Sequence, residues 1–192
     1  MPESSVEAVI ALGSNLGNRL DSIRKAIITL DRLRMISIVD FSSVYECDAH
    51  TLGENEAQPP YLNAVALIAT SMSPPALLQV CVAIETVNGR ERTSKTSWEA
   101  RTLDLDIIVH GDETINLNDL SIPHPHLADR MFVLQPLFEI RPDLHIPAPF
   151  DSTVQYLLSV CKDTGLLTQR VPRSSLFSPD EFARTLPAFE HK

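Results

Sequence analysis

Two patterns of apolar residues alternate along this chain. Segments rich in apolar and β-branched residues predict β-strands, and segments with apolar residues three or four apart predict helices that bury one face. Strands are predicted over residues 6–12, 36–46, 61–70 and 101–109, with a short pairing at 113–116. Helices are predicted from about Asn18, over residues 74–88 between a Ser73 cap and a stop at Gly89, near residues 130–139, and within residues 150–161.

The order strand-helix-strand-strand-helix-strand is the ferredoxin-like pattern. We therefore expect an α+β, ferredoxin-like sandwich, with a mostly antiparallel sheet, helices packed on one face of it, and ligand-binding loops. A length of 192 residues suits one domain, which we expect over residues 1–160. Residues 161–192 are expected to form a C-terminal tail that is loosely packed, since prolines, serines and charges dominate from about residue 170.

Residues 101–109 carry the most informative pattern. Asp104 and Asp106 point to the same face of the predicted strand, because strand side chains alternate, and their Cα atoms lie roughly 7 Å apart. Such a pair can hold Mg²⁺, which prefers a few carboxylates completed by water and substrate phosphates. Arg101 precedes the pair, so metal-dependent phosphate chemistry is one interpretation. The alternative is an ordinary polar strand face exposed to solvent.

The turn at Gly13-Ser14-Asn15 also has two interpretations. Its glycine and the following Gly17 could let the backbone cradle an anion at the start of the first helix. A tight strand-to-helix turn is the simpler interpretation, and it is favoured because two glycines do not make a phosphate-loop motif.

Charge and composition narrow the class of protein. The formal net charge of -9 argues against a general nucleic-acid partner. No apolar run approaches the roughly 18 residues of a membrane span, and the N-terminus lacks the regions of a signal peptide. Three widely spaced cysteines, Cys47, Cys81 and Cys161, fit neither a zinc site nor a disulfide framework, so a cytoplasmic location is expected.

Five separated motifs occur in the order, and at closely similar spacing, of a known enzyme family. They are IALGSNLGNR at 10–19, PYLNAV at 60–65, IETVNGRER at 84–92 followed by Trp98 and Arg101, the D-x-D strand at 104–106, and IPHPH with RMFVLQPL at 122–137. Over about residues 7–147 the chain resembles the hydroxymethyl-dihydropterin pyrophosphokinases of folate biosynthesis.

The resemblance implies an activity and its cofactors. Pyrophosphate would pass from ATP to 6-hydroxymethyl-7,8-dihydropterin, releasing AMP, with two Mg²⁺ ions as cofactors. Asp104 and Asp106 match the metal carboxylates of the family. Arg90, Arg92 and Arg101 match catalytic arginines of a loop that closes over the triphosphate, a role that suits the planar guanidinium fork.

The resemblance also implies residues for each substrate. Those that match nucleotide-contacting positions are Glu85, Ile107, His124 and Arg130. Those that match pterin-binding positions are Tyr61, Asn63, Trp98 and Phe132. Aromatic faces and a side-chain amide suit a flat ligand with a donor and acceptor edge. Taken singly, the aromatic residues could equally belong to the core, His124 to a turn, and Glu85 to a solvated helix end.

Several points depart from the family or stay open. Residues 46–50 stand where the family has a Thr-Pro-rich segment, so the pterin contacts of loop 47–60 are not assigned, and Lys95 is not aligned. Two other functions compete: a small-molecule sensor of the same fold without turnover, and a metal-dependent nucleotidyltransferase with another acceptor. A monomer that binds ATP and the pterin, without a membrane or nucleic-acid partner, is the expectation.

Overall fold

The protein is described by a computed structural model that covers residues 5–49, 58–89, 100–178 and residue 181. Its larger elements in chain order are β1 (Val6–Ser14), α1 (Arg19–Asp31), β2 (Ile36–Phe41), β3 (Val44–Cys47), β4 (Tyr61–Thr70), α2 (Pro74–Val87) and β5 (Asp104–His110). They are followed by β6 (Ile115–Asn116), β7 (Ser121–Ile122), α3 (Met131–Ile140), β8 (His145–Ile146), β9 (Ser152–Thr153), α4 (Val154–Val160) and β10 (Leu167–Val171).

The main sheet is antiparallel throughout and runs in the order β10-β3-β4-β1-β5, with β2 also paired to β4. This is the predicted α+β arrangement: β1 and β4 form the centre, α1 leads from β1 to β2 beside β4, and α2 leads from β4 to β5 beside β1. Two small hairpins, β6 with β7 and β8 with β9, lie outside this sheet.

The strand predicted over residues 36–46 is divided into β2 and β3. Ser42 and Ser43 separate them: the Ser42 hydroxyl accepts from Val65 N, and Ser43 donates through both its backbone N and its hydroxyl to the Glu139 carboxylate of α3. These side-chain bonds replace ladder bonds, so β2 pairs with the second half of β4 and β3 with its first three residues.

Helices cover both faces of the sheet, which corrects the expectation of helices on one face. Apolar residues of α1 and α2, such as Ile27 and Leu77, pack on one face with Ile10 and Ile68. Residues of α3 and α4 form a second core on the other face; they include Val133, Leu134, Leu137, Val154 and Leu157, which pack with Val9, Val65 and Leu67.

The segment after residue 166 packs more closely than its composition predicted. Strand β10 extends the sheet beyond β3, and the Arg170 guanidinium binds the Glu46 carboxylate at 2.6 Å. Leu176 and Phe177 are buried, and the Phe177 ring meets Phe41 edge-on at 5.3 Å between centroids. The apolar residues within this polar stretch therefore anchor it, up to residue 178, to the core on the α1 side.

The helix boundaries agree with the sequence signals. The Asn18 side chain accepts from Asp21 N at the start of α1. Pro74 begins α2 directly after Ser73, which occupies the cap position without a side-chain cap hydrogen bond. Gly89, at a φ of +84°, follows α2 in a conformation that favours glycine. None of the helices in the described part of the chain is both long and apolar enough to span a bilayer.

Candidate active site

A cavity of about 530 Å³ lies at the Gly13 end of β1, between α2 and the start of α3. Gly13 pairs with Asn63 of β4 on one side and with Asp104 of β5 on the other, so the three residues stand side by side across the sheet. A Cβ atom at Gly13 would lie 3.4 Å from Asn63 Oδ1 and 3.7 Å from Asp104 Cβ. The absence of a side chain there leaves open space between an amide and a carboxylate.

Nine residues that the sequence analysis predicted for the site line this cavity, although they lie far apart in the chain. They are Tyr61, Asn63, Glu85, Arg101, Asp104, Asp106, His124, Arg130 and Phe132. Three further nominated residues, Arg90, Arg92 and Trp98, lie outside the described residues, as does Lys95. Ile107 does not line the cavity: its side chain is buried in the core on the α1 and α2 face, because it alternates with Asp106 along β5.

Each carboxylate of the D-x-D pair is bound to an arginine. Arg101 Nη1 lies 2.9 Å from Asp104 Oδ1, and Arg130 Nη1 lies 3.3 Å from Asp106 Oδ2. Arg101 lies three residues before β5 and Arg130 directly precedes α3, so two separate segments place the cations beside one strand face. The result is a compact group of two negative and two positive side chains in one cavity wall.

The environment of Asp106 disfavours its charged form. Burial, and next the negative charge of Asp104, raise the pKa of the Asp106 carboxyl above its ordinary value of 3.8, while the Arg130 charge opposes that shift. Glu85 adds a third negative charge nearby, and its Oε1 accepts from Leu105 N at 2.8 Å, between the two aspartates. That bond satisfies an outward amide of β5, which is the edge strand of the described sheet, and fixes the backbone between the two carboxylates.

The donor set fits Mg²⁺. Among residues 5–49, 58–89 and 100–178, no group of three or more His, Cys, Asp or Glu side chains is arranged to hold a metal ion. Asp104 and Asp106 would therefore offer an open site with oxygen ligands alone, in which water and substrate complete the shell; this is how Mg²⁺ commonly binds beside phosphates. Two clustered carboxylates that disfavour a shared negative charge also suit a divalent cation.

His124 is a neutral hydrogen-bonding group in this site. Burial, and then the positive charge of Arg130, lower the pKa of its imidazole to about 4. Its Nδ1 lies 3.1 Å from His126 N, which must be the donor, so the proton of the neutral ring is on Nε2. His124 can therefore donate one hydrogen bond at neutral pH without adding charge.

A second wall of the cavity carries aromatic rings and a side-chain amide. It contains the rings of Tyr61 and Phe132 and the amide of Asn63, whose Nδ2 donates to Cys47 Sγ at 3.1 Å. Burial raises the pKa of the Cys47 thiol to about 11, so the sulfur remains a neutral acceptor. The Arg130 guanidinium lies 5.7 Å from the centroid of the Phe132 ring and connects this wall to the charged one.

Sequence reasoning did not reveal how three residues shape the site: Gly13 lies between Asn63 and Asp104, Cys47 lies beside Asn63, and the Asn15 side chain binds Arg101 N. The backbone N atoms of Asn15 and Leu16 both donate to Arg101 O, at 3.0 and 3.2 Å, so the hypothesis of an anion cradle at this turn is wrong for these amides. Pairing β1 between β4 and β5 would have revealed Gly13, because it sets the glycine between Asn63 and Asp104.

Comparison with known proteins identifies the family. Residues 9–142 match the model of the 7,8-dihydro-6-hydroxymethylpterin-pyrophosphokinase family. The 2-amino-4-hydroxy-6-hydroxymethyldihydropteridine pyrophosphokinase of Synechocystis sp. is 40% identical over 83% of this chain and 78% of its own length. The proteins of the same name from Haemophilus influenzae and Pseudomonas aeruginosa are 42% and 37% identical, over 74% and 85% of this chain and 86% and 95% of their own lengths.

Solved structures agree on the fold. The wild-type HPPK-DHPS of Plasmodium falciparum superposes with a TM-score of 0.62 at 15% identity, covering 81% of this chain and 41% of that one. This chain therefore spans less than half the length of that protein, and an identity so low is informative about the fold alone. From the family match and the bacterial relatives, the chain belongs to the 7,8-dihydro-6-hydroxymethylpterin-pyrophosphokinase family.

Proposed function

We propose that this protein transfers pyrophosphate from ATP to 6-hydroxymethyl-7,8-dihydropterin, giving AMP and the pterin diphosphate used in folate biosynthesis. One observation carries the proposal: a single cavity holds a carboxylate pair with two arginines on one wall and an amide with two aromatic rings on the other. The first wall suits phosphates with a metal, and the second suits a flat heterocycle. Gly13 lies between them, where the two substrates would meet.

On the charged wall, Asp104 and Asp106 would hold two Mg²⁺ ions. The ions would neutralise the phosphate oxygens and align the β-phosphorus with its attacking and leaving oxygens. Arg101 and Arg130, which lie beside Asp104 and Asp106, would bind the same phosphates, and the neutral His124 ring would donate a hydrogen bond from Nε2.

Five further assignments complete the site. Arg90 and Arg92 would add charge-assisted bonds to the triphosphate. Glu85 contributes by fixing the strand between the two aspartates. Ile107 is limited to backbone contact with the nucleotide, because its side chain is in the core. Trp98 would cover the pterin as part of the loop after α2.

On the aromatic wall, the pterin would stack between rings. Tyr61 and Phe132 supply the apolar faces, and Asn63 reads the donor and acceptor edge of the ring. The bond from Asn63 Nδ2 to Cys47 Sγ directs Oδ1 toward the space above Gly13. The pterin would therefore present its hydroxymethyl group toward the carboxylate pair.

The reaction needs no covalent enzyme intermediate. The hydroxymethyl oxygen forms a bond to the β-phosphorus, the bond between that phosphorus and the oxygen bridging to the α-phosphate breaks, and AMP leaves. The hydroxyl proton passes to solvent or to a phosphate oxygen. The protein contributes mainly by positioning both substrates and by stabilising the negative charge that moves toward AMP.

Product analysis tests this proposal directly. The full chain is incubated with MgATP, with and without hydroxymethyl-dihydropterin, and AMP, ADP and pyrophosphate are separated by anion exchange. We expect AMP in equal amount to the pterin diphosphate, only when the pterin is present, and none from Asp104→Asn. Release of pyrophosphate would indicate a nucleotidyltransferase instead, and binding of both ligands without AMP would indicate a sensor.

The proposal also covers the cellular compartment, the oligomeric state and the extent of the domain. The free thiols of Cys47, Cys81 and Cys161 suit a reducing compartment, and we place the protein in the cytoplasm. We propose a monomer with one pyrophosphokinase domain over residues 1–160, against which the segment up to residue 178 packs through β10, Leu176 and Phe177. A native-mass measurement of the purified chain would test the monomer.

A further inference from the structure

Asn15 lies at the junction of two segments that border the cavity. It is 2% exposed and follows β1 directly. One of these segments enters β5 through Arg101, on the charged wall, and the other enters β4 through Gln58 and Pro59, on the pterin wall. Arg101 and Gln58 both line the cavity.

Every polar group of the Asn15 side chain has a partner in one of those segments. Its Oδ1 accepts from Arg101 N at 2.7 Å, and its Nδ2 donates to Gln58 Oε1 and to Pro59 O, both at 3.3 Å. Since a backbone N–H only donates and a proline carbonyl only accepts, the orientation of the amide is fixed from both sides. An aspartate of the same size could keep the first bond but not the bond to Pro59.

The neighbouring bonds make this junction firm on the Arg101 side. Asn15 N and Leu16 N donate to Arg101 O, and Ser14 Oγ donates to Thr102 O at 2.6 Å. Arg101 is therefore held by its amide and its carbonyl, and its guanidinium is set beside Asp104. Any shift of residues 58 and 59 that moves the Asn15 amide is passed to the backbone that carries Arg101.

We propose that Asn15 is a positioning residue that couples the pterin side of the site to the phosphate side. The inference rests on the proposed function, because it assigns the two walls to two substrates. When the pterin settles against the wall that includes Gln58, Asn15 holds Arg101 in the position that the triphosphate requires, and the converse holds by linkage. Asn15 touches neither substrate; it acts through Arg101 and through residues 58 and 59.

The test measures coupling and not only activity. The dissociation constant of the pterin is determined by calorimetry with and without a saturating non-hydrolysable MgATP analogue, and the ratio is the coupling factor. We expect at least fivefold tightening in the wild type, within the usual range of about 5- to 150-fold for coupled sites. In Asn15→Ala the factor should fall to within about twofold of one, and kcat should fall at least about tenfold as Arg101 loses its tether.

Asn15→Asp distinguishes the bond to Arg101 N from the bonds to Gln58 and Pro59, because it can keep the first and loses the Nδ2 donor of the others. It also replaces Asn15→Ala as the test if the alanine variant does not fold. It should keep the wild-type affinity for the nucleotide analogue alone, through the bond to Arg101 N, and should lose the coupling. Asn18→Ala is the matched control: Asn18 lies three residues away, is exposed, and its side chain accepts from Asp21 N at the start of α1. Its thermal midpoint should fall while its coupling factor stays at the wild-type value.

The outcomes separate this inference from the function it rests on. A wild-type coupling factor of one, or unchanged coupling in both Asn15 variants, would overturn the role of Asn15. Wild-type protein that binds neither ligand, or that releases no AMP from MgATP and the pterin, would instead overturn the proposed function.

Discussion

Replacing Gly13 with valine tests where the pterin lies. The first carbon of a new side chain fits, because its nearest neighbours would be Asn63 Oδ1 at 3.4 Å and Asp104 Cβ and Tyr61 Cδ1 at 3.7 Å, which are ordinary contacts. The two further methyl groups of valine have to enter the open space above the strand. If the pterin occupies that space, the methyl groups overlap it.

The expected size of the effect follows from overpacking. Forcing extra methyl groups into a filled site costs about 1–3 kcal/mol. At about 1.4 kcal/mol per tenfold change, this corresponds to roughly 5- to 150-fold weaker pterin binding. Gly13→Ala is the matched control and should bind the pterin within a few-fold of the wild type. Both variants should keep the wild-type thermal midpoint within a few degrees, since glycine loses more backbone freedom on folding into a strand than alanine or valine does.

Calorimetric titration of each variant with the pterin, and separately with a non-hydrolysable MgATP analogue, gives the result. Only the pterin affinity of Gly13→Val should weaken, with the nucleotide affinity changed by less than about threefold. If the valine variant folds and binds the pterin as tightly as the wild type does, the ligand does not lie above Gly13. The assignment of the pterin to the aromatic wall would then be wrong.

Three more predictions concern the charged wall. Asp104→Asn and Asp106→Asn should each abolish AMP formation, and without metal Asp106→Asn should have a higher thermal midpoint than the wild type. Folding raises the pKa of Asp106, so ionisation of this carboxyl lowers the free energy of unfolding. In melts at a series of pH values, the difference in thermal midpoint between Asp106→Asn and the wild type should therefore grow as the pH rises from about 4 through that raised pKa. Arg101→Ala should lower kcat by about a hundredfold, in line with about 3 kcal/mol for one preorganised donor, while pterin affinity measured by titration changes little. His124→Gln should retain more nucleotide affinity than His124→Ala, and the wild-type affinity should not change with His124 protonation between pH 6 and 8, since the lowered pKa keeps the ring neutral there.

Local patterns in the sequence were sufficient for much of this fold. The strand over residues 61–70 and the helix after Ser73 are observed where they were predicted, because their signals lie within the segments themselves. The placement of Asp104 and Asp106 on one strand face is likewise a consequence of alternation alone. The nomination of His124 and Phe132 needed the family resemblance, since each residue by itself fits a turn or a core.

The remaining features depend on contacts between distant segments. The division of β2 from β3 requires Glu139, almost a hundred residues later, to bind Ser43. One remaining feature is an exception, because the packing of helices on both faces of the sheet had a local signal. The sequence of β4 is a nearly continuous apolar run, and the strand is buried almost along its whole length. Such a run is typical of a strand covered on both sides. The tether of Asn15 to Arg101 had none, because neighbours across a turn are set by the tertiary fold.

The pairing of arginines with aspartates bears on how ligands enter. A metal ion binding alone at Asp104 and Asp106 would have to displace their ion pairs with Arg101 and Arg130. Its binding free energy would then be reduced by the interaction energy of those lost ion pairs. A free triphosphate would do the same to the arginines and would meet the negative charges of the aspartates. A complex of ATP with magnesium satisfies both sets together, because the metal takes the carboxylates while the phosphates take the guanidinium groups. On the proposed function, this pairing would therefore favour the metal-nucleotide complex over either component, since only that ligand carries both charges.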